Sequence, residues 1–160
     1  MLTEFKDLPG HSRIWIYQSN RSFTDAELEE IEESLSAFLK EWTAHGSELH
    51  AGFEIRYKRF IIIGLDQSNT GASGCSIDTS VHFIQSLEQK YNVILLDRMN
   101  VSFKQGEFIA YKPLQDFKRM AKEKAISKNT IVFNNLVASK LEYLENWEVP
   151  ASDSWHARFV

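Results

Sequence analysis

The sequence predicts an α+β fold built on a ferredoxin-like, split βαβ core, and three observations carry that expectation. A short apolar run, Ile14-Trp15-Ile16-Tyr17, leads into a capped amphipathic stretch at Thr24. Two adjacent strand-like segments, from Ala51 to Tyr57 and from Phe60 to Leu65, lead into a second amphipathic stretch at Ser76. A further apolar run, Val93-Ile94-Leu95-Leu96, completes the order strand, helix, strand, strand, helix, strand, or βαββαβ. A hairpin and two helices follow, so residues 1–160 read as a single α+β domain with a core at 12–97 and a C-terminal extension at 98–160.

Each element has its own local reason. Ile14 to Tyr17 is bounded by polar residues and reads as a buried strand. Thr24 and Glu27 have the spacing of a capping box. Leu28, Ile31, Leu35, Phe38, Leu39 and Trp42 then repeat at helical spacing, with Gly46 as the stop. From Ala51 to Tyr57 apolar and polar residues alternate, as expected of a half-exposed edge strand. Phe60-Ile61-Ile62-Ile63-Gly64-Leu65 is continuously apolar, which fits a strand covered on both faces and reached by a turn near Lys58-Arg59. Ser76 is the expected N-cap of the second helix, whose inward stripe is Ile77, Val81, Ile84, Leu87 and Tyr91. Met99 to Phe103 and Phe108 to Tyr111 form a hairpin around Gln105-Gly106, and Pro113 opens a third helix. A last helix is expected from Thr130 to Trp147, ended by Pro150 and followed by a tail containing Trp155, His156 and Arg158.

Composition excludes several classes. The formal net charge is −4, and Glu27, Glu29, Glu30, Glu32 and Glu33 concentrate the negative charge, so nucleic-acid binding is not expected. No apolar stretch approaches the ~18 residues of a membrane span, and no apolar run follows a basic start, so a cytoplasmic protein is expected. A single cysteine excludes an internal disulfide and a CxxC motif. The histidines at 11, 45, 50, 82 and 156 lack metal-ligand spacing, and no metal or cofactor is expected. There is no GxxxxGK[ST], no GxGxxG after a strand, and no HExxH or GxSxG. An arginine six residues after the cysteine, as phosphatases require, is also missing, because Val81 holds that position.

The candidate site is Gly71-Ala72-Ser73-Gly74-Cys75-Ser76-Ile77-Asp78, a flexible loop that places a thiol at a helix start. N–H groups without intrahelical partners and the positive end of the helix dipole stabilise a thiolate or a bound anion there. Cys75 is the candidate nucleophile and Asp78 the candidate acid or base; the alternative is a turn-packed cysteine beside a helix-start carboxylate. In a split βαβ unit the first and third strands are central and parallel, so the loop Gln18-Ser19-Asn20-Arg21 emerges at the same end of the sheet as the loop from Asp66 to Asp78. Asn20, Arg21, Ser73, Gly74 and Ser76 would then bind a small anionic ligand between the two loops. The alternative for Arg21 is a salt bridge to an acidic residue of the first helix. The basic run Lys118, Arg119, Lys122, Lys124 and Lys128 reads as a solvated helix face or as a surface for an acidic partner.

Five strings carry a resemblance: Trp15-Ile16-Tyr17-Gln18-Ser19-Asn20-Arg21, Trp42-Thr43-Ala44-His45-Gly46, Ser73-Gly74-Cys75-Ser76-Ile77-Asp78, Asp97-Arg98-Met99, and Asn146-Trp147-Glu148-Val149-Pro150 with Ser154-Trp155-His156. Over nearly its whole length the chain resembles a family of short bacterial proteins commonly labelled "ABC transporter ATPase". The resemblance implies no catalytic residues, and the chain has neither a Walker A motif nor an LSGGQ-type signature, so it is not expected to be a P-loop or ABC ATPase. Two functions remain open at this point. One is a small-molecule or anion site between the Arg21 and Cys75 loops, with or without cysteine chemistry. The other is a non-catalytic interaction module that binds a partner or forms a homodimer, with Cys75 buried and unreactive.

Overall fold

Thr24 fixes the start of the first helix. In the computed structural model, which describes residues 1–160, its hydroxyl accepts from the Glu27 N–H at 3.1 Å. The Glu27 carboxylate accepts from the Thr24 N–H at 2.9 Å, which closes the capping box of helix α1 (Asp25–Glu41). Strand β1 (Arg13–Gln18) precedes it. Behind it, β2 (Thr43–Ala44) and β3 (Ser47–Glu48) pair around His45 (φ 51°) and Gly46 (φ 80°). Gly46 therefore serves a hairpin turn that needs left-handed backbone and is not the helix stop, which comes earlier, at Trp42.

Strands β4 (His50–Arg56) and β5 (Phe60–Asp66) and helix α2 (Gly74–Tyr91) follow. The sheet order is β1-β5-β4, and both pairings are antiparallel. This overturns the expected parallel alignment of the first and third strands. The chain leaves β1, returns along α1, and runs in the β1 direction again through β4; the hairpin then reverses it, so β5 opposes β1. Residues 60–65 are all buried, as expected of a strand covered on both faces. Ile61, Ile63 and Leu65 join Ile31, Leu35, Leu39, Ile84 and Leu87 in one core. On the opposite face, a Cβ at Gly64 would come 2.6 Å from Leu8 Cδ1.

The expected fourth strand at Val93 to Leu96 does not form, because side chains take its backbone donors. The Ile94 N–H donates to Asn20 Oδ1 at 2.9 Å, and the Leu95 and Leu96 N–H groups donate to the Glu88 carboxylate at 2.7 and 3.1 Å. The free edge of β1 is met by a distant segment instead. Ile14 N–H donates to Ala138 O, and Lys140 N–H donates to Ser12 O, each at 2.9 Å.

Contacts divide the chain into one unit of residues 1–96 and 138–141, and another of residues 97–137 and 142–160. The second unit contains β6 (Asn100–Gln105), β7 (Phe108–Pro113), α3 (Leu114–Lys122), β8 (Ile131–Phe133) and β9 (Glu148–Pro150), with sheet order β7-β6-β8-β9. Its core gathers Val101, Phe103, Phe117, Ile126 and Val132. The single helix expected from Thr130 to Trp147 is replaced by β8, a turn, α4 (Lys140–Asn146) and β9. Ile131-Val132-Phe133 is a strand-forming trio, and Asn134 Oδ1 accepts from the Leu136 N–H, which turns the chain before a helix can propagate. The whole is a mixed α+β structure with four helices and several small sheets. No helix is long and apolar enough to cross a membrane.

Candidate functional site

The antiparallel register separates the two loops on which the anion site depends. Gln18, at the exit of β1, pairs with Phe60 at the entry of β5, whereas Asp66, at the exit of β5, lies beyond the pairing of Leu65 with Arg13 at the start of β1. Arg21 and Cys75 consequently belong to opposite ends of the sheet. Helix α2 confirms the separation, because Arg21 bonds to Tyr91 at its last turn while Cys75 stands in its first. An 18-residue helix spans about 27 Å, too far for one small anion to touch both. The expected convergence of Asn20 and Arg21 with Ser73, Gly74, Cys75 and Ser76 is thus corrected.

At the Arg21 end, the polar groups fasten the backbone. Arg21 donates to both carboxylate oxygens of Glu27 at 2.9 Å and to the carbonyl oxygen of Tyr91 at 2.6 Å. The fork also places a cation at the C-terminal, negative end of α2. Arg21 is raised further above its ordinary value, first by the Glu27 hydrogen bond. Glu27 is held down at about 2, first by the Arg21 hydrogen bond and then by the Thr24 N–H. The Tyr91 hydroxyl donates to Glu30 at 2.9 Å and is pushed up to about 12, mainly by burial. Asn20 caps Ile94, as described. The same loop covers the β4–β5 turn, since Ser19 and Phe23 N–H groups donate to the carbonyl oxygens of Arg59 and Lys58 at 2.8 and 2.7 Å. That turn carries Tyr57 (φ 54°) and Lys58 (φ 55°), two side chains in left-handed backbone without a glycine. The bonds from the Arg21 loop hold it in place.

At the Cys75 end, the serines are spent on capping. Ser73, and not Ser76, is the N-cap: its hydroxyl accepts from the Ser76 N–H at 3.1 Å, and the Ser76 hydroxyl accepts from the Ser73 N–H at 2.7 Å. Ser76 is buried, and its carbonyl oxygen accepts from the Trp42 indole at 2.9 Å. Gly74, Cys75 and Asp78 are exposed, as is His82. Cys75 is therefore neither the buried cysteine of the interaction reading nor the Arg21-facing cysteine of the anion reading. Asp66, at the start of the loop, is lowered chiefly by the Ser68 hydroxyl, which donates to it at 2.6 Å. No three of the His, Cys, Asp and Glu residues group as metal ligands.

Two residues gained importance that periodicity does not reveal. Lys140 is buried, and its ammonium donates to the carbonyl oxygens of Lys6 and Leu8 at 3.0 and 2.6 Å. A lysine at the start of a short helix gives no sequence signal of burial. In the second unit, His156 is 0% exposed, stacked on Trp155 with ring centroids 3.8 Å apart, and packed edge-on to Phe117 at 5.4 Å. Burial pushes it down to about 4. Its Nδ1 meets the Ser154 hydroxyl at 2.7 Å, and its Nε2 is buried without a partner. The tail thus contributes His156 to the core and leaves Arg158 exposed. No family model, no curated protein and no solved structure matches the chain.

Proposed function

We propose that this chain is a non-catalytic interaction module that associates with other protein surfaces, including copies of itself. One observation carries the reading. The polar side chains that a two-loop ligand site needs, Asn20, Arg21, Ser73 and Ser76, are engaged in bonds that fix the chain's own backbone. The groups left without an internal task lie on the surface: Phe108, Met99, Leu136 and Leu144 are large exposed apolar side chains, and several like-charged residues have no ion pair. In this reading the protein acts in the cytoplasm without cofactor, membrane or nucleic acid, and its first unit is a ferredoxin-like βαββα plan whose fourth-strand place goes to residues 138–140. The missing GxxxxGK[ST] counts against nucleotide hydrolysis as an ATPase.

The test is sedimentation of the full chain across a concentration series. A weight-average mass that rises with concentration supports the reading; a constant monomer mass removes self-association from it. The anion reading survives only in a narrower form, with Cys75, Asp78 and Gly74 at one exposed helix start and without Asn20 or Arg21. Alkylation of Cys75 as a function of pH separates the two. An apparent value well below the free-thiol level of about 8.5 would favour this second reading.

A further inference from the structure

Charge is segregated along the chain. Helix α1 carries seven carboxylates against Lys40, while residues 112–128 carry six cationic side chains against Asp116 and Glu123. Glu29, Glu32 and Glu33 are exposed, lie at i, i+3 and i+4 on α1, and form no ion pair. Glu27 and Glu30 differ, because Arg21 and Lys90 neutralise them. On α3, Lys118 and Lys122 are exposed one turn apart, also without a carboxylate partner, while Arg119 meets Asp116 at 3.5 Å. The tail extends this cationic surface. The Lys118 ammonium and the Arg158 guanidinium both stand over the Phe159 ring, at 5.0 and 5.2 Å from its centroid, and Arg158 likewise has no ion pair. Like charges gathered on one ring repel each other unless an anion from outside meets them.

We propose that the Lys118, Lys122 and Arg158 surface of one copy docks the Glu29, Glu32 and Glu33 stripe of α1 in a second copy. This rests on the self-association reading and names its surfaces. The spacings match, because Glu29 to Glu33 and Lys118 to Lys122 each cover one helical turn, about 6 Å along the axis. Two helices laid side by side therefore present both pairs at once. The two surfaces differ, so the contact is heterologous: each bound copy still offers one free acidic and one free basic face, and assembly continues unless a ring closes. Because the groups are exposed, the association weakens as salt shortens the screening length.

The experiment is sedimentation of three full-length proteins: wild type, the K118E/K122E/R158E variant, and the E29K/E32K/E33K variant. Circular dichroism verifies that each is folded. At about 20 mM salt, where charges act over roughly 20 Å, wild type associates; at about 1 M, where they act over roughly 3 Å, it is monomeric. Each variant alone is monomeric at low salt, and an equimolar mixture of the two associates at least tenfold more strongly than either, because the reversed faces complement each other. Wild type that remains monomeric at low salt overturns both this inference and self-association. Association that persists in both variants, or resists salt, overturns the charged contact alone and leaves self-association standing. Monomeric wild type that instead binds a polyglutamate peptide overturns the choice of a second copy as the partner.

Discussion

The two ends of α2 meet the rest of the first unit in opposite ways. At its C-terminal end, Tyr91 is buried, its carbonyl is bonded by Arg21, and Arg21 is in turn held by Glu27. At its N-terminal end, Gly74, Cys75 and Asp78 face water, and the turn is tied down by local bonds, chiefly the reciprocal pair of Ser73 and Ser76, and by the Trp42 indole. The contrast teaches that residue types suited to binding do not make a site when the fold needs their hydrogen bonds itself. Arg21 has the ideal chemistry for an anion, and it is already occupied by a carboxylate and a helix end.

The largest expected effect comes from breaking the occupied end. Arg21→Ala removes four charge-assisted bonds, two of them to Glu27, and should cost about 2 kcal/mol, after allowing for the partial exposure of the guanidinium, as read from the urea midpoint at constant slope. Arg21→Lys should recover only part of this, since an ammonium cannot fork onto both oxygens of Glu27. The same end gives a pH signature. The folded value of Glu27 lies below its unfolded one, so the stabilisation is complete above about 4.5 and is lost as pH falls through about 2. Wild type and Arg21→Ala should therefore converge in stability as acid is added over that window, as followed by thermal melts. If the two curves stay parallel, the ion pair is not the source of the difference.

Smaller effects sharpen the exposed end. Ser73→Ala removes the N-cap of α2 and should cost about 1 kcal/mol. Cys75→Ser and Asp78→Asn touch only exposed groups and should each stay within about 0.5 kcal/mol of wild type in the same denaturation assay. Cys75 should alkylate at nearly the same rate in the native and urea-unfolded chain. A large protection in the native state would mean that this end is covered in solution, which would make it part of an interface.

Local chemistry made much of the fold legible. The Thr24 and Glu27 capping box, the apolar stripe of α1, the buried β5 and the hairpin at Gly106 (φ 61°) all follow from short-range pattern. What could not be read depends on distant partners. Val93 and Leu95 alternate inward as a strand would, and both are buried, yet Asn20 and Glu88 intercept the backbone donors that a ladder needs. Ser73 and Ser76 compete for one N-cap, and three-residue spacing makes Ser73 the cap and Ser76, the expected cap, its N3 partner in the capping box. The antiparallel relation of β1 and β5 was accessible from chain direction alone. That relation puts the Arg21 and Cys75 loops at opposite ends of the sheet, where an expectation built on parallel strands joins them. The split of the last expected helix turns on Asn134, whose side chain favours a turn over helix propagation.

The return of residues 138–141 to the first unit has a consequence for biosynthesis. A ribosome releases Met1 to Leu96 well before Ala138 to Lys140, the segment that bonds to Ser12 and Ile14 and supplies an ammonium to the carbonyls of Lys6 and Leu8. Until then, one edge of β1 has open backbone donors and acceptors during translation, a template onto which another nascent strand can pair. The N-terminal half therefore cannot complete its own sheet edge. Its maturation waits for the synthesis of residues 138–141, which couples the folding of the first unit to a segment made well after Leu96.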